Sequence, residues 1–145
     1  LVELGRLGQK TSLGMYRYQS GSHTPIPDPE VHALIAQEAA RLGVERRDID
    51  DQEVVERCIL ALVVEGARIL EDGISPRPGD IDVVWANGYG FPRYLGGPMH
   101  YADSIGLDRI YKTVCGYRER FGPMYWDVPA LLKDLAKKRR RFADL

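Results

Sequence analysis

Apolar residues recur every three to four positions along most of the chain, and this spacing predicts α-helices separated by glycine and proline. The first predicted helix has Asp28 as its N-cap and Pro29 as its first residue, and Gly43 ends it. Its apolar positions are Val31, Leu34, Ile35, Ala39 and Leu42. These start and stop signals predict an amphipathic surface helix.

The second predicted helix carries the main apolar stripe of the chain. Asp50 and Glu53 fit a capping box at its start, and Gly73 follows its last turn. The stripe consists of Val55, Ile59, Leu62, Val63 and Leu70. Glu65 falls on the same face, where a carboxylate is costly unless it is paired or hydrogen-bonded. It is either a general base or a structural group that caps a neighbouring helix end or glycine-rich turn; no histidine or second acid is in register, which favours the structural role.

Residues 87–106 are dense in glycine, proline and aromatic residues. Glycine permits positive φ and proline fixes φ, so this composition predicts a rigid corner rather than a flexible linker. A short helix that starts at Pro78, with Ile81, Val84 and Trp85 on its apolar face, leads into the corner. A further helix is predicted over residues 98–105, with Pro98 at its first position.

Two more helices complete the predicted fold. One covers residues 109–121 with Asp108 as its cap and Gly122 at its end, and the last covers residues 127–141 around Leu131, Leu132 and Leu135. No stretch alternates between apolar and polar residues in the manner of a strand. The predicted fold class is therefore all-α, with about six helices.

Composition narrows the possible partners. The formal net charge is −1, which gives no electrostatic argument for nucleic acid or an anionic membrane, and no apolar run is long enough to span a bilayer. The basic run at residues 137–141 is the exception, and at a helix end such a run is usually solvated. Cys58 and Cys115 lie in apolar helical patterns and are expected to be buried free thiols, with no disulfide or metal site.

The histidines form no convincing acid–base site. His23 lies in a polar loop without a nearby carboxylate, so it is expected to be solvated. His100 and Asp103 are three residues apart on one predicted helix, a spacing that usually gives a surface contact. No nucleophile accompanies them apart from Ser104 and tyrosines, so catalysis at this point is disfavoured.

Three stretches together resemble a known family. GRLGQKTSLGMYRY resembles the motif that closes the helical domain of 3-hydroxyacyl-CoA dehydrogenases, although Leu13 replaces a small residue. ERCILALVVEGARILEDGIS and DIDVVWANGYGFPRYLGGPMHYADSIGLD then resemble a second copy of that domain, with Gly66 where alanine is common. The resemblance implies a helical fold like the C-terminal domain of these enzymes, which is 6-phosphogluconate-dehydrogenase C-terminal-like. It also implies that residues 1–27 end the preceding copy and its linker, and that residues 28–145 form a second, non-catalytic copy.

The same resemblance implies a function. This domain order occurs in multifunctional fatty-acid β-oxidation enzymes, which join an enoyl-CoA hydratase to an NAD-dependent 3-hydroxyacyl-CoA dehydrogenase. The family's Rossmann domain, with the NAD site and the catalytic His and Glu, would lie upstream of this chain. Where the catalytic copy has an Asn beside the reacting centre this chain has Glu56, followed by a matching Arg57. A carboxylate cannot donate the hydrogen bond that an amide donates, so no catalytic, cofactor-binding or metal-binding residue is expected here.

The expected partners are therefore the upstream Rossmann and hydratase domains, with the acyl-CoA substrate bound elsewhere in the longer protein and a homodimer as a further possibility. The compartment would be the cytoplasm in a bacterium and the peroxisome in a eukaryote. Two rival hypotheses remain: a free-standing helical interaction module without activity, and a small enzyme that uses Glu65 and His100. The chain begins within a motif and without Met, which favours a piece of a longer protein.

Overall fold

The computed structural model describes residues 1–145, and the chain divides into two compact units, Leu1–Asp48 and Ile49–Leu145. The first unit is called unit 1 and the second unit 2. Six α-helices account for most of the regular structure, which confirms the predicted all-α class. The assignment of residues 1–27 and 28–145 to successive domain copies stays a prediction.

Unit 1 is a turn-rich segment followed by one helix. Strand β1, Tyr16–Arg17, pairs antiparallel with β2, Ile26–Pro27, a minimal ribbon that the apolar pattern did not predict. Helix α1, Pro29–Arg41, begins as predicted, because the Asp28 side chain accepts a hydrogen bond from the Glu30 amide at 3.1 Å. Gly43, with φ of 65°, follows its end.

A buried ion pair joins the N-terminal segment of unit 1 to the start of α1. The Arg6 guanidinium contacts the Asp28 carboxylate, and its Nε donates to the Gly14 carbonyl at 3.1 Å. Both charged side chains are almost fully buried, and the hydrogen bond from Arg6 lowers the pKa of the Asp28 carboxyl. The helix cap therefore also anchors the N-terminal segment.

Unit 2 contains the remaining five helices. They are α2, Asp51–Glu71; α3, Pro78–Gly88; α4, Pro98–Ile105; α5, Leu107–Phe121; and α6, Ala130–Lys138, followed by a 3₁₀ turn at Phe142–Asp144. The core forms where α2 packs on α4 and α6, and α5 packs on α4 and α6. Its fully buried side chains include Val63, Met99, Val114, Leu132, Leu135 and Phe142.

Two glycines set the packing of unit 2. A Cβ at Gly66 on α2 would lie 2.4 Å from the Met99 sulfur on α4, so the absence of a side chain lets the two helices approach closely. Gly97 precedes α4 with φ of 130°, and a Cβ there would lie 2.4 Å from the Asp82 side chain. The predicted corner is therefore tightly packed where Gly97 meets Asp82, whereas Tyr89 and Tyr94 in the same stretch are 71% and 87% exposed.

The predicted bounds of two helices were wrong. Helix α5 starts at Leu107 rather than Arg109, and Asp108 makes no capping hydrogen bond, because Gly106, with φ of 98°, turns the chain directly from α4 into α5. Helix α6 is shorter than residues 127–141. Pro129 disfavours helical geometry before it, and Arg139 adopts left-handed geometry with φ of 53°, which ends the helix.

The predicted apolar stripes were partly wrong. Val55 in unit 2, and Ile35 and Leu42 in unit 1, are exposed. The buried positions of α2 are Leu60, Val63, Val64, Gly66 and Ala67. The inward face of α2 is therefore centred on the glycine that meets α4, and it is rotated away from the face that the stripe predicted.

Candidate functional site

Glu56, the residue that the sequence resemblance singled out, is a carboxylate held by a contact inside the fold. Glu56 lies on the first half of α2, half-buried, and its Oε1 accepts a hydrogen bond from the Tyr117 hydroxyl of α5 at 2.5 Å. Burial and this hydrogen bond to the carboxylate raise the pKa of Tyr117 to about 12. The tyrosine therefore stays protonated as a donor, and the Glu56 oxygen that faces it is occupied.

The neighbouring Arg57 is also used inside the fold. Its guanidinium carbon lies 4.2 Å from the centre of the Phe121 ring, and its Nη1 lies 3.7 Å from a Glu53 carboxylate oxygen. A cation over an aromatic face is stabilising, so Arg57 helps to hold α2 against the end of α5. Both residues of the motif-like pair thus make contacts that join helices.

A groove of about 460 Å³ opens beside Glu56, between α2, α4 and α5. Its apolar lining consists of Val55, Ile59, Leu60, Tyr101, Ile105 and Ile110. The polar side chains that line it are Asp51, Gln52, Glu56, Arg109 and Thr113. A concave site of this volume with a few polar groups is the usual form of a small-molecule site. Of the motif-like pair Glu56 and Arg57, it is Glu56 that lines this groove.

The predicted burial of Glu65 was wrong. Its side chain is 59% exposed, and its carboxylate accepts a hydrogen bond from Arg68 at 2.9 Å, one turn along α2. Arg68 also donates to the Asp127 carbonyl at 3.1 Å. Glu65 therefore pairs with a residue of its own helix and does not cap a neighbouring one, because the inward face of α2 is rotated away from it.

The buried carboxylate that caps a neighbouring helix is Asp82, on α3. Its two oxygens accept hydrogen bonds from the amides of Met99, at 2.7 Å, and His100, at 3.1 Å. Burial raises the pKa of Asp82, and the two amide hydrogen bonds partly oppose this shift. Sequence reasoning missed Asp82 because it lies outside the predicted apolar face of α3. The one available signal was that α4 starts with Gly97 and Pro98 and has no capping side chain of its own.

His100 and Asp103 do not form a pair. The Asp103 carboxylate accepts hydrogen bonds from the amides of Phe142, at 2.7 Å, and Ala143, at 3.0 Å. The His100 ring lies against the backbone at Gly96. His23 is exposed and contacts the Gln9 side chain at 3.0 Å. The structure therefore brings no histidine together with a carboxylate in the way that acid–base chemistry requires.

The remaining predicted features are ordinary surface groups. Cys58 is exposed, so its predicted burial was wrong, and Cys115 is half-buried. Of the basic run at residues 137–141, Lys138 pairs with Asp134 at 2.9 Å and Arg141 with Asp144 at 3.3 Å.

No group of three or more His, Cys, Asp or Glu side chains is placed to hold a metal ion, and no helix has both the length and the apolar character needed to cross a membrane.

Comparison with known families gives a match over residues 54–141, to the C-terminal domain of 3-hydroxyacyl-CoA dehydrogenase. The chain belongs to this family. The matched residues lie within unit 2 and include Glu56, Asp82 and the groove-lining positions of α4 and α5. The resemblance that the sequence motifs indicated is thereby confirmed.

Curated relatives of this 3-hydroxyacyl-CoA dehydrogenase domain are much longer proteins. The chain is 45% identical to the peroxisomal bifunctional enzyme of Danio rerio over 132 residues, which covers 90% of the chain and 18% of that protein. It is 40% identical to the human protein of the same name over 144 residues, 95% of the chain and 19% of that protein. The fatty acid oxidation complex subunit alpha of Acinetobacter baumannii is 34% identical over 145 residues, 98% of the chain and 20% of that protein. The chain thus spans about a fifth of the length of these relatives.

Proposed function

We propose that this chain is the C-terminal, non-catalytic part of a multifunctional fatty-acid β-oxidation enzyme. The longer protein, called the parent below, oxidises (3S)-3-hydroxyacyl-CoA to 3-ketoacyl-CoA with NAD and hydrates enoyl-CoA. Supporting this are the match to the 3-hydroxyacyl-CoA dehydrogenase C-terminal domain and the fraction of each multifunctional relative that the chain covers. The parent is peroxisomal in a eukaryote and cytoplasmic in a bacterium.

The non-catalytic role rests on Glu56. In the catalytic copy of this domain an Asn amide donates a hydrogen bond near the reacting centre, whereas Glu56 accepts one from Tyr117. The His23 ring contacts Gln9, and the Asp103 carboxylate accepts from backbone amides rather than from the His100 ring. We infer that α2 contributes packing rather than chemistry, and that NAD and acyl-CoA bind to the upstream domains.

The apolar surface of unit 1 supports a role in contacts with those upstream domains. Val2, Leu4 and Leu7 are each more than half exposed, and Leu13 and Met15 also face outward. An apolar surface of this extent on one small unit is typical of an interface. The Rossmann and hydratase domains of the parent are the proposed cover, and a homodimer is a second way to cover such a surface.

Kinetics of the parent test the assignment. Glu56→Gln keeps the shape of the side chain and removes its charge. We expect kcat and KM for 3-hydroxyacyl-CoA oxidation to change by less than about twofold. The Tm should fall, because the Tyr117 hydroxyl loses its charged acceptor. Glu65→Gln, on the exposed part of the same helix, is the matched control and should change neither quantity. A fall in kcat of about a hundredfold with an unchanged Tm would make Glu56 catalytic and overturn the proposal.

A second candidate, a free-standing helical interaction module, is favoured by the same exposed apolar residues of unit 1. The intact mass of the native protein in its source cells separates the two. A band several times heavier than 16.4 kDa that co-purifies with NAD-dependent 3-hydroxyacyl-CoA oxidation supports the multifunctional enzyme. A band near 16.4 kDa supports the module.

A further inference from the structure

The groove between α2, α4 and α5 has the dimensions of a site for an extended apolar chain. Its volume of about 460 Å³ lies within the range of small-molecule sites. Along α2 it runs from Asp51 to Leu60, a distance of about 14 Å at the rise of an α-helix. Ile59, Ile105 and Ile110 supply its apolar lining, so a narrow hydrocarbon chain would be covered on more than one side.

The walls of the groove are fixed by contacts inside the fold. Glu56, which lines the groove, is hydrogen-bonded to Tyr117, and its neighbour Arg57 lies over the Phe121 ring. These two contacts tie the first half of α2 to the second half of α5. A ligand would therefore enter a largely pre-formed site and lose little affinity to rearrangement of the protein.

One wall of the groove presents unpaired hydrogen-bond donors. Arg109 and Thr113 both line the groove, and they are four residues apart on α5, so they lie on the same face of that helix. Neither side chain makes a hydrogen bond or ion pair within the chain. A guanidinium beside a hydroxyl matches the geometry of a carboxylate, which accepts charge-assisted hydrogen bonds.

We propose that this groove binds a single-chain amphiphile, with its apolar chain along Ile59 and Ile105 and its carboxylate head held by Arg109 and Thr113. Asp51 and Glu56 also line the groove, and their charge opposes an anionic ligand. One Glu56 oxygen is engaged by Tyr117, whereas Asp51 is exposed and unpaired. The binding is therefore modest, and removing the Asp51 charge strengthens it. This site is independent of whether the parent is a β-oxidation enzyme.

Methyl and amide NMR spectra of the 145-residue chain, titrated with decanoate below its micelle threshold, test the site. We expect saturable shifts at the methyl groups of Ile59, Ile105 and Ile110. Arg109→Gln should weaken binding by about fivefold and Asp51→Asn should strengthen it by about twofold, as expected for exposed charge pairs. Lys112→Gln removes the same charge from the exposed part of α5 outside the groove and should leave the affinity unchanged.

Three outcomes would overturn the proposal. Equal or tighter binding of decylamine would show that Asp51 and Glu56 dominate the groove, and equal binding of decanol would show that Arg109 holds no head group. Shifts at the same methyl groups that grow with protein concentration in the absence of ligand would assign the groove to a second copy of the chain. Weaker binding of both decanol and decylamine than of decanoate supports it.

Discussion

Unit 1 and unit 2 reach a folded state by different means. Unit 2 buries nearly the whole apolar core of the chain, in layers contributed by α2, α4, α5 and α6. In unit 1 Val31 is the one fully buried hydrophobic side chain, and the other buried groups include the Arg6–Asp28 ion pair. Since burial of apolar surface is what offsets the entropy of ordering a chain, unit 2 is equipped to fold alone and unit 1 is not.

The comparison shows that a buried ion pair can fix local geometry but does not replace a buried apolar core. A buried pair fixes geometry, because each partner is costly to leave uncompensated, but its net contribution to stability is small. In unit 1 the pair defines where the N-terminal segment meets α1, while the apolar residues around it remain exposed. The four predictions below test this difference, from the largest expected effect to the smallest.

Truncation of the core should have its largest effect in unit 2. Phe142→Ala removes a side chain that is fully buried, and we expect the free energy of unfolding to fall by about 3–5 kcal/mol. Leu7→Ala, at an exposed position of unit 1, should change it by less than about 0.5 kcal/mol. Urea unfolding followed by far-ultraviolet circular dichroism, which reports the helices of both units, measures each value. Similar losses from the two variants would remove the contrast between the units.

The corner before α4 should be nearly as sensitive. Gly97→Ala places a Cβ against the Asp82 side chain and backbone at a φ of 130°, so we expect a loss of about 3 kcal/mol. Gly116→Ala, inside α5 with no atom beyond its own helix backbone and chain neighbours within 4 Å of the added carbon, should instead stabilise by about 0.5–1 kcal/mol. The same unfolding experiment measures both. A neutral Gly97→Ala would mean that the corner is free to adjust.

Removal of the ion pair should affect unit 1 alone. Arg6→Met leaves the buried Asp28 carboxylate without its main partner, so amides of residues 1–48 should exchange about tenfold faster or more, while those of unit 2 keep their rates. Lys10→Met, at an exposed position of the same segment, is the control. Hydrogen exchange followed by mass spectrometry resolves the two units. Faster exchange across both units would show that they unfold together.

Lowering the pH should change the contributions of the two buried aspartates to stability in opposite directions. The pKa of Asp28 is lowered from 3.8 by Arg6, so its contribution to stability is present above that value and is lost as the pH falls through its folded pKa. The pKa of Asp82 is raised from 3.8 by burial, so its contribution is greatest below 3.8 and declines as the pH rises through its folded pKa. Carbon-detected NMR titration of the carboxyl groups measures both. An Asp82 that titrates below 3.8 would contradict the assigned cause.

Features that depend on neighbouring residues in the chain were predictable from sequence. The start of α1 at Pro29 and both ends of α4 follow from capping residues, glycine and proline, and the structure confirms them. The start of α5 was missed because Asp108 is a good capping residue in isolation. Gly106 overrode that preference by turning the chain two residues earlier than a cap at Asp108 implied.

Features that depend on distant residues were not predictable. Glu65 and Asp82 are both carboxylates on helices with apolar faces, and the packing of α2 and α3 on α4 decides which one is buried. The importance of Glu56 was indicated by resemblance, but its partner Tyr117 is 61 residues away and no periodicity points to it. Likewise the groove depends on the angles between three helices, which an apolar pattern does not specify.

The close approach of α4 to Gly66 also determines how readily an oxidant reaches the Met99 sulfur in unit 2. The Met99 thioether that fills the space beside this glycine is fully buried, whereas Met124 and Met15 are 80% and 53% exposed. Peroxide therefore reaches Met99 only when α4 separates from α2, and the sulfoxide then formed is too polar to return to the same space. A Met99 side chain that is oxidised during an opening stays oxidised. The sulfoxide content of Met99 is therefore a cumulative record of how often unit 2 has opened.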